Sequence, residues 1–243
     1  MDHVDLTAEG FDQWVATASH DPADTPVHPW RPLSTLLDPA TLESRIAHTH
    51  ASLTTQRHTG TAGHGRPSTA RPGQVRRRVA VSAVHLGIVA RLLVPVIAAR
   101  SAGHPVRLPR PADMWWQGVP SAPIPLSIAW SARPHHSEPD HEPDLTDSAV
   151  AALTERFIDA GLTPLIAWDN LASAASTSVI MITRCRPDLA EPVRTVAQDV
   201  LELIDPRPDA HVGATFRRRA CCLYWQVSGS RDACCGDCVL VAP

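Results

Sequence analysis

Residues 79–99 read VAVSAVHLGIVARLLVPVIAA, and no other feature of the chain constrains its fold as strongly. A run this apolar has to be hidden from water along nearly its whole length. A bilayer span needs about 20 nearly uncharged apolar residues, and His85, Arg91 and Pro95 interrupt this one. The run is therefore expected to be a buried helix over residues 79–100 with other elements packed around it. Arg76, Arg77 and Arg78 precede it and read as a solvated helix start, although their charge opposes the helix dipole there.

The 243 residues are 44% hydrophobic, enough for one sizeable domain or two small ones. A net charge of −3 argues against a nucleic-acid binder held by charge. All 22 basic residues are arginine, which fits a GC-rich coding bias and carries no functional meaning. The opening stretch MDHVDLTAEGFDQW lacks an apolar run and does not read as a secretory signal. The expected compartment is the cytoplasm, where clustered cysteines bind metal or do redox work.

Further elements follow from periodicity and punctuation. Residues 6–19 read as a short amphipathic helix, with Leu6, Phe11, Trp14 and Val15 as its apolar members. Residues 20–37 read as proline-rich and irregular. Asp38-Pro39 has the form of an N-cap followed by a first-turn proline, opening a helix to about Ser52. Gln56 to Gly73 reads as a mobile loop. Residues 105–130 read as loop and short strand. His135, His136 and His141 lie in an acidic stretch whose spacing matches no closed set of zinc ligands, so a solvated loop is expected. Asp147 is the expected cap of a helix over 148–160 closed by Gly161. Residues 162–168 read as a strand or extended link, and Asp169 or Asn170 as the cap of the next helix. Small residues there, Ala172, Ser173, Ala174 and Ala175, suit close packing. A last helix is expected over 189–203. The fold class is α+β: an α-rich single domain with a small β component and a cysteine-rich C-terminal segment. Its expected organisation is an N-terminal region over residues 1–74 and a core over 75–243.

Five of the six cysteines fall within CCLYWQVSGSRDACCGDC, residues 221–238. The form Cys235-Gly-Asp-Cys238 can set two sulfurs on one side of a tight turn. The adjacent pair Cys221-Cys222 can serve one centre only if the backbone bends there, because neighbouring side chains on a strand point to opposite faces. Three chemistries compete on these residues. Four thiolates make the ligand set of a 2Fe–2S cluster. A structural zinc ribbon accounts for C-x-x-C but wants a second such pair. A dithiol oxidoreductase would place C-x-x-C at a helix start early in the chain. Cys185 stands apart and reads as a small core residue.

Arg217-Arg-Arg-Ala-Cys221-Cys222-Leu-Tyr-Trp225, followed by Cys235-Gly-Asp-Cys238-Val-Leu240, resembles the end of the FhuF family of ferric siderophore reductases, in particular its shorter actinobacterial 2Fe–2S members. Weaker likenesses lie upstream in His85-Leu86-Gly87, in Asp113-Met-Trp-Trp116 with Pro123-Ile-Pro-Leu126, and in Trp168-Asp-Asn-Leu-Ala-Ser-Ala174. Twelve residues separate Cys222 from Cys235 where the family has about ten, and one of the twelve is Cys234.

The resemblance implies a 2Fe–2S cluster held by Cys221, Cys222, Cys235 and Cys238, with Cys234 as the alternative ligand to Cys235. It implies an oxidoreductase that reduces a cytoplasmic Fe(III)–siderophore by one electron and releases Fe(II). The electron donor would be separate, a ferredoxin or an NAD(P)H-dependent reductase, since no dinucleotide fingerprint is present. Peripheral association with the siderophore uptake system is a further implication. Arg217, Arg218 and Arg219 would supply positive charge near the cluster, either to attract an anionic chelate or acidic donor or to offset the thiolates. The alternative function is a non-catalytic iron–sulfur or zinc protein acting as a sensor or interaction module.

Overall fold

The structure is a computed structural model that describes residues 4–21, 24–59, 75–119, 124–130, 145–205 and 207–241. The apolar run forms α2 (Arg77–Ser101) and lies at the centre of the molecule. It is covered over most of its surface by α1 (Pro39–Thr59), α3 (Ala149–Asp159), α4 (Pro164–Cys185) and α5 (Ala190–Ile204), and Gly87 with half-buried Ala83 and Ala90 marks the stripe left open. Its closest partner is α4, where Ala172, Ala175 and Ser178 are fully buried and small enough to let the two backbones approach. The amphipathic α5 buries Val193, Ala197, Val200, Leu201 and Ile204, a stripe at helical spacing, against α2 and α4.

A four-stranded sheet flanks the helices, in the order β1 (Ala18–His20), β4 (Leu126–Ala129), β3 (Met114–Gln117), β2 (Trp30–Pro32). β1 runs parallel to β4, while β3 is antiparallel to both β4 and β2. Strands from before residue 75 and from after it therefore complete one sheet. The result is the expected helix-rich α+β domain, with one continuous core from Val4 to Val227.

Two helices, α2 and α4, are long and apolar enough to cross a membrane by length and composition. Their apolar windows are 72% and 67% buried inside the protein, so the fold itself supplies the cover that α2 demands.

Several expectations need correction. Residues 6–19 form turns and β1 rather than a helix. The Asp5 carboxylate accepts from the Thr7 and Ala8 amides, and Asp12 from those of Trp14 and Val15. These local bonds offer the backbone an alternative to a helix, and Gly10 with φ 86° breaks the run. Residues 30–36 are also regular, as β2 and a 3-10 turn. Asp38 does cap α1, accepting from the Thr41 amide at 2.9 Å, but the helix continues past Ser52 to Thr59. Thr54 and Thr55 there return their hydroxyls to carbonyls one turn back. The cap of α3 is Ser148, whose Oγ accepts from the Ala151 amide at 3.1 Å, not Asp147. Residues 164–168 are the first turns of α4, with Pro164 at the first helical position, and Asp169 and Asn170 lie inside that helix. His135, His136 and His141 lie outside the described residues, as does the proposed loop beyond residue 59.

Candidate metal centre

The five clustered thiols sit on a strap, residues 217–241, whose regular structure is confined to the one-turn α6 (Trp225–Ser228) and a 3-10 turn at 231–233. The strap's backbone bonds are short-range turns plus one between the Arg218 amide and the Asp237 carbonyl, and side chains of α4 anchor it to the bundle. Asp169, fully buried, accepts from the backbone amides of Arg219 and Ala220, both at 2.6 Å, and from Arg219 Nε at 2.9 Å. One carboxylate thus fixes the two residues immediately before Cys221. Three residues further on in α4 from Asn170, the Ser173 hydroxyl donates to Asp237, inside the C-x-x-C turn.

Arg218 joins these contacts. It is 3% exposed. Its Nε donates to Asp237 Oδ2 at 3.0 Å and its Nη1 to Asn170 Oδ1 at 2.7 Å. Behind it, the Asn170 amide donates to His85 Nδ1 at 3.1 Å, which leaves the His85 Nε2 proton for Thr154 Oγ1, also at 3.1 Å. Burial, with the Arg218 charge beside it, pushes His85 down to about 3, so its ring is neutral. Burial alone would raise Asp237, but Arg218 and the bonds from Cys235 and Ser173 outweigh it and hold the carboxyl below the usual range. Arg219 also approaches buried Asp205, which Arg207 holds through further short bonds.

The three sequence-predicted arginines therefore face different ways. Arg217 is exposed and spends bonds on the carbonyls of Ala214, Phe216 and Gly236. Arg218 and Arg219 turn inward to carboxylates.

The sulfurs fall into pairs. Cys221 Sγ lies 3.6 Å from Cys238 Sγ, and Cys222 Sγ lies 3.9 Å from Cys235 Sγ. Cys234 sits against Cys238 as a fifth member. The adjacent residues Cys221 and Cys222 thus serve different partners, and the backbone bends just after them. Leu223 is the one non-glycine residue with positive φ (71°) among the described residues, and its amide donates to Cys221 Sγ at 3.3 Å. A left-handed leucine costs roughly 1 kcal/mol or more, and the surrounding strap contacts hold it.

Proton sharing polarises the Cys222–Cys235 pair. Its bond with Cys235 draws Cys222 down to about 6 against the effect of burial, with Arg218 helping, while Cys235 is pushed up by the same bond. Burial pushes Cys221 up to about 12. Cys222 and Cys238 are buried, and Cys221, Cys234 and Cys235 are half-buried. Tyr224, Val239, Leu240 and Val241 are exposed on the same strap.

These distances test the candidate cofactors. A metal–thiolate bond of about 2.3 Å in a tetrahedron sets neighbouring sulfurs about 3.8 Å apart. Each pair matches one such edge. A single zinc needs its donors to converge, and among the described residues no group of three or more His, Cys, Asp or Glu does so. Two pairs of two thiols supply the number of ligands that a 2Fe–2S cluster requires. Cys185, at the end of α4, bonds to the carbonyls of Met181 and Ile182 and takes no part.

Sequence reasoning singled out the thiols by type and spacing. It missed the residues that position them, above all Asp169, Asn170, Ser173 and His85. Their one signal is polarity inside otherwise apolar helices, where a buried polar group demands a partner. Compared with known proteins, the chain matches no protein-family model and no curated protein.

Proposed function

We propose that the chain is a 2Fe–2S protein that reduces a ferric siderophore by one electron in the cytoplasm, with Cys221, Cys222, Cys235 and Cys238 holding the cluster. The observation that carries this reading is the division of the four thiols into two pairs at tetrahedral-edge spacing. The resemblance of residues 217–240 to the FhuF family supplies the reaction.

Hydroxamate and catecholate oxygens are hard donors that hold Fe(III) far better than Fe(II). Adding one electron to the chelated ion therefore loosens it. A bound 2Fe–2S cluster supplies electrons singly, which is the stoichiometry this reaction needs. The chain's own residues do the rest. Half-buried Cys221 and Cys235 keep the thiol site near the surface. Exposed Tyr224, Val239, Leu240 and Val241 on the same strap offer apolar contact surface. Arg218, buried beside Cys222, offsets thiolate charge, and exposed Arg217 is left to face an anionic chelate. Electrons enter from a separate ferredoxin or NAD(P)H-dependent reductase.

The test has two stages. The protein is purified without oxygen, reconstituted with iron and sulfide, and analysed for metal and by EPR after dithionite. The expected result is about two irons and two sulfides per chain with a reduced S = 1/2 signal. The reduced protein is then mixed with a ferric hydroxamate and an Fe(II) trap. Stoichiometric Fe(II) capture supports the reductase. A loaded cluster with no capture leaves an iron–sulfur sensor or interaction protein, and a colourless chain with one zinc overturns the cluster itself.

A further inference from the structure

A second feature, away from the thiols, is a cleft of ≈430 Å³ between the first half of α1 and the end of β3. Volumes of this order are ordinary for small-molecule sites. On α1 it is lined by Thr41, Ser44, Arg45 and His48, positions that share one helix face. Trp116 and Arg31 close the other side, with the Arg31 guanidinium 5.2 Å from the centre of the Trp116 ring.

The charge in this cleft is one-sided. Two arginines and a histidine line it, and among the described residues no carboxylate does. Glu43 is on another face of α1, paired with Arg77. Asp38 is taken up in capping Thr41. Arg45 is the informative member. It is only 9% exposed. Its Nη1 donates to the Val119 carbonyl at 2.7 Å, but its Nε has no hydrogen-bond partner. A buried guanidinium without a carboxylate and with an unmet donor is costly. Arg218, buried more deeply still, is by contrast engaged through Nε by Asp237 and through Nη1 by Asn170. The group that would satisfy Arg45 is an anion with oxygen acceptors, which a guanidinium matches in geometry as well as charge.

We propose that this cleft binds the oxyanion group, phosphate or carboxylate, of a small molecule, with Arg45 at its floor and Arg31 and His48 at its mouth. The site is separate from the thiol centre. The far end of α1 meets the strap where Arg57 donates to the Gln226 carbonyl, and Arg45 lies twelve residues earlier, about 18 Å along the helix axis. The proposal therefore stands whether or not the thiols hold a cluster.

Isothermal titration of the full chain with inorganic phosphate, and separately with citrate, at constant chloride tests it. Saturable one-to-one binding is expected, weakened about tenfold or more in Arg45→Gln. Binding of phosphate alone, or of citrate alone, supports the site and names the group. Arg31→Gln removes an exposed side chain, so it reports even if the buried substitution unfolds the protein, and it too should weaken binding several-fold. No saturable binding of either anion, or binding unchanged in both variants, overturns the proposal.

Discussion

Arg218 donates to Asn170 across 48 positions of sequence, at 2.7 Å and out of contact with water. With Asp237 on its other side, this guanidinium ties the thiol strap to the helical core. Removing one partner of a buried ion pair leaves an uncompensated charge. Asp237→Asn should therefore destabilise the protein by about 3 kcal/mol, read by urea unfolding. Combining it with Arg218→Met should cost clearly less than the sum of the single changes. Strict additivity would mean that the pair does not interact.

Asp169 holds the two amides before Cys221. Asp169→Asn weakens both bonds and leaves Arg219 with a poorer partner. Hydrogen exchange at the Arg219 and Ala220 amides should accelerate by about tenfold or more, while exchange in the middle of α2 changes little. Unchanged exchange at those two amides would remove Asp169 from its positioning role.

His85 sets an acid limit. Its folded value of about 3 lies below the ordinary value of about 6.5. Between these values the unfolded chain binds a proton that the folded chain refuses, so acid favours unfolding. The contribution is complete above about pH 6.5 and is lost as pH falls toward 3, at up to about 1.4 kcal/mol per pH unit. Urea midpoints of the parent and His85→Gln, compared between pH 7 and pH 4, should converge as pH falls. Parallel curves would show that His85 does not titrate in this way.

The thiol pairing separates Cys235 from its neighbour. Cys222→Ser or Cys235→Ser breaks the 3.9 Å pair and should reduce bound iron to less than half after reconstitution. Cys234→Ser should retain it, since Cys234 contacts Cys238, which is already paired with Cys221. The reverse outcome, iron lost with Cys234 and kept without Cys235, would exchange their roles.

The core was readable because burial leaves a periodic trace. α2 is apolar throughout, and α5 repeats its apolar residues at helical spacing. The ends of elements were harder, because caps are decided by single side chains. Ser148 rather than its neighbour Asp147 captured the amide of Ala151, and Asp5 and Asp12 turned a helical pattern into bends. Pro164 was misread as part of an extended link, though proline is at home in a first helical turn. At the site, cysteine declares its chemistry by identity and spacing. Asp169 and Asn170 do not, because their meaning lies in partners about 50 residues away, and a local window reads the same residues as a cap.

The strap's dependence on α4 has a consequence for assembly. Backbone bonds inside residues 217–241 are mostly local turns, and Asp169, Asn170 and Ser173 fasten them to the bundle. The helices can fold first, from contacts that never involve a thiol. Local opening of the terminal segment is then expected at a lower free energy than global unfolding. The clustered thiols would then become reachable from solvent at a lower free energy than the core that positions them.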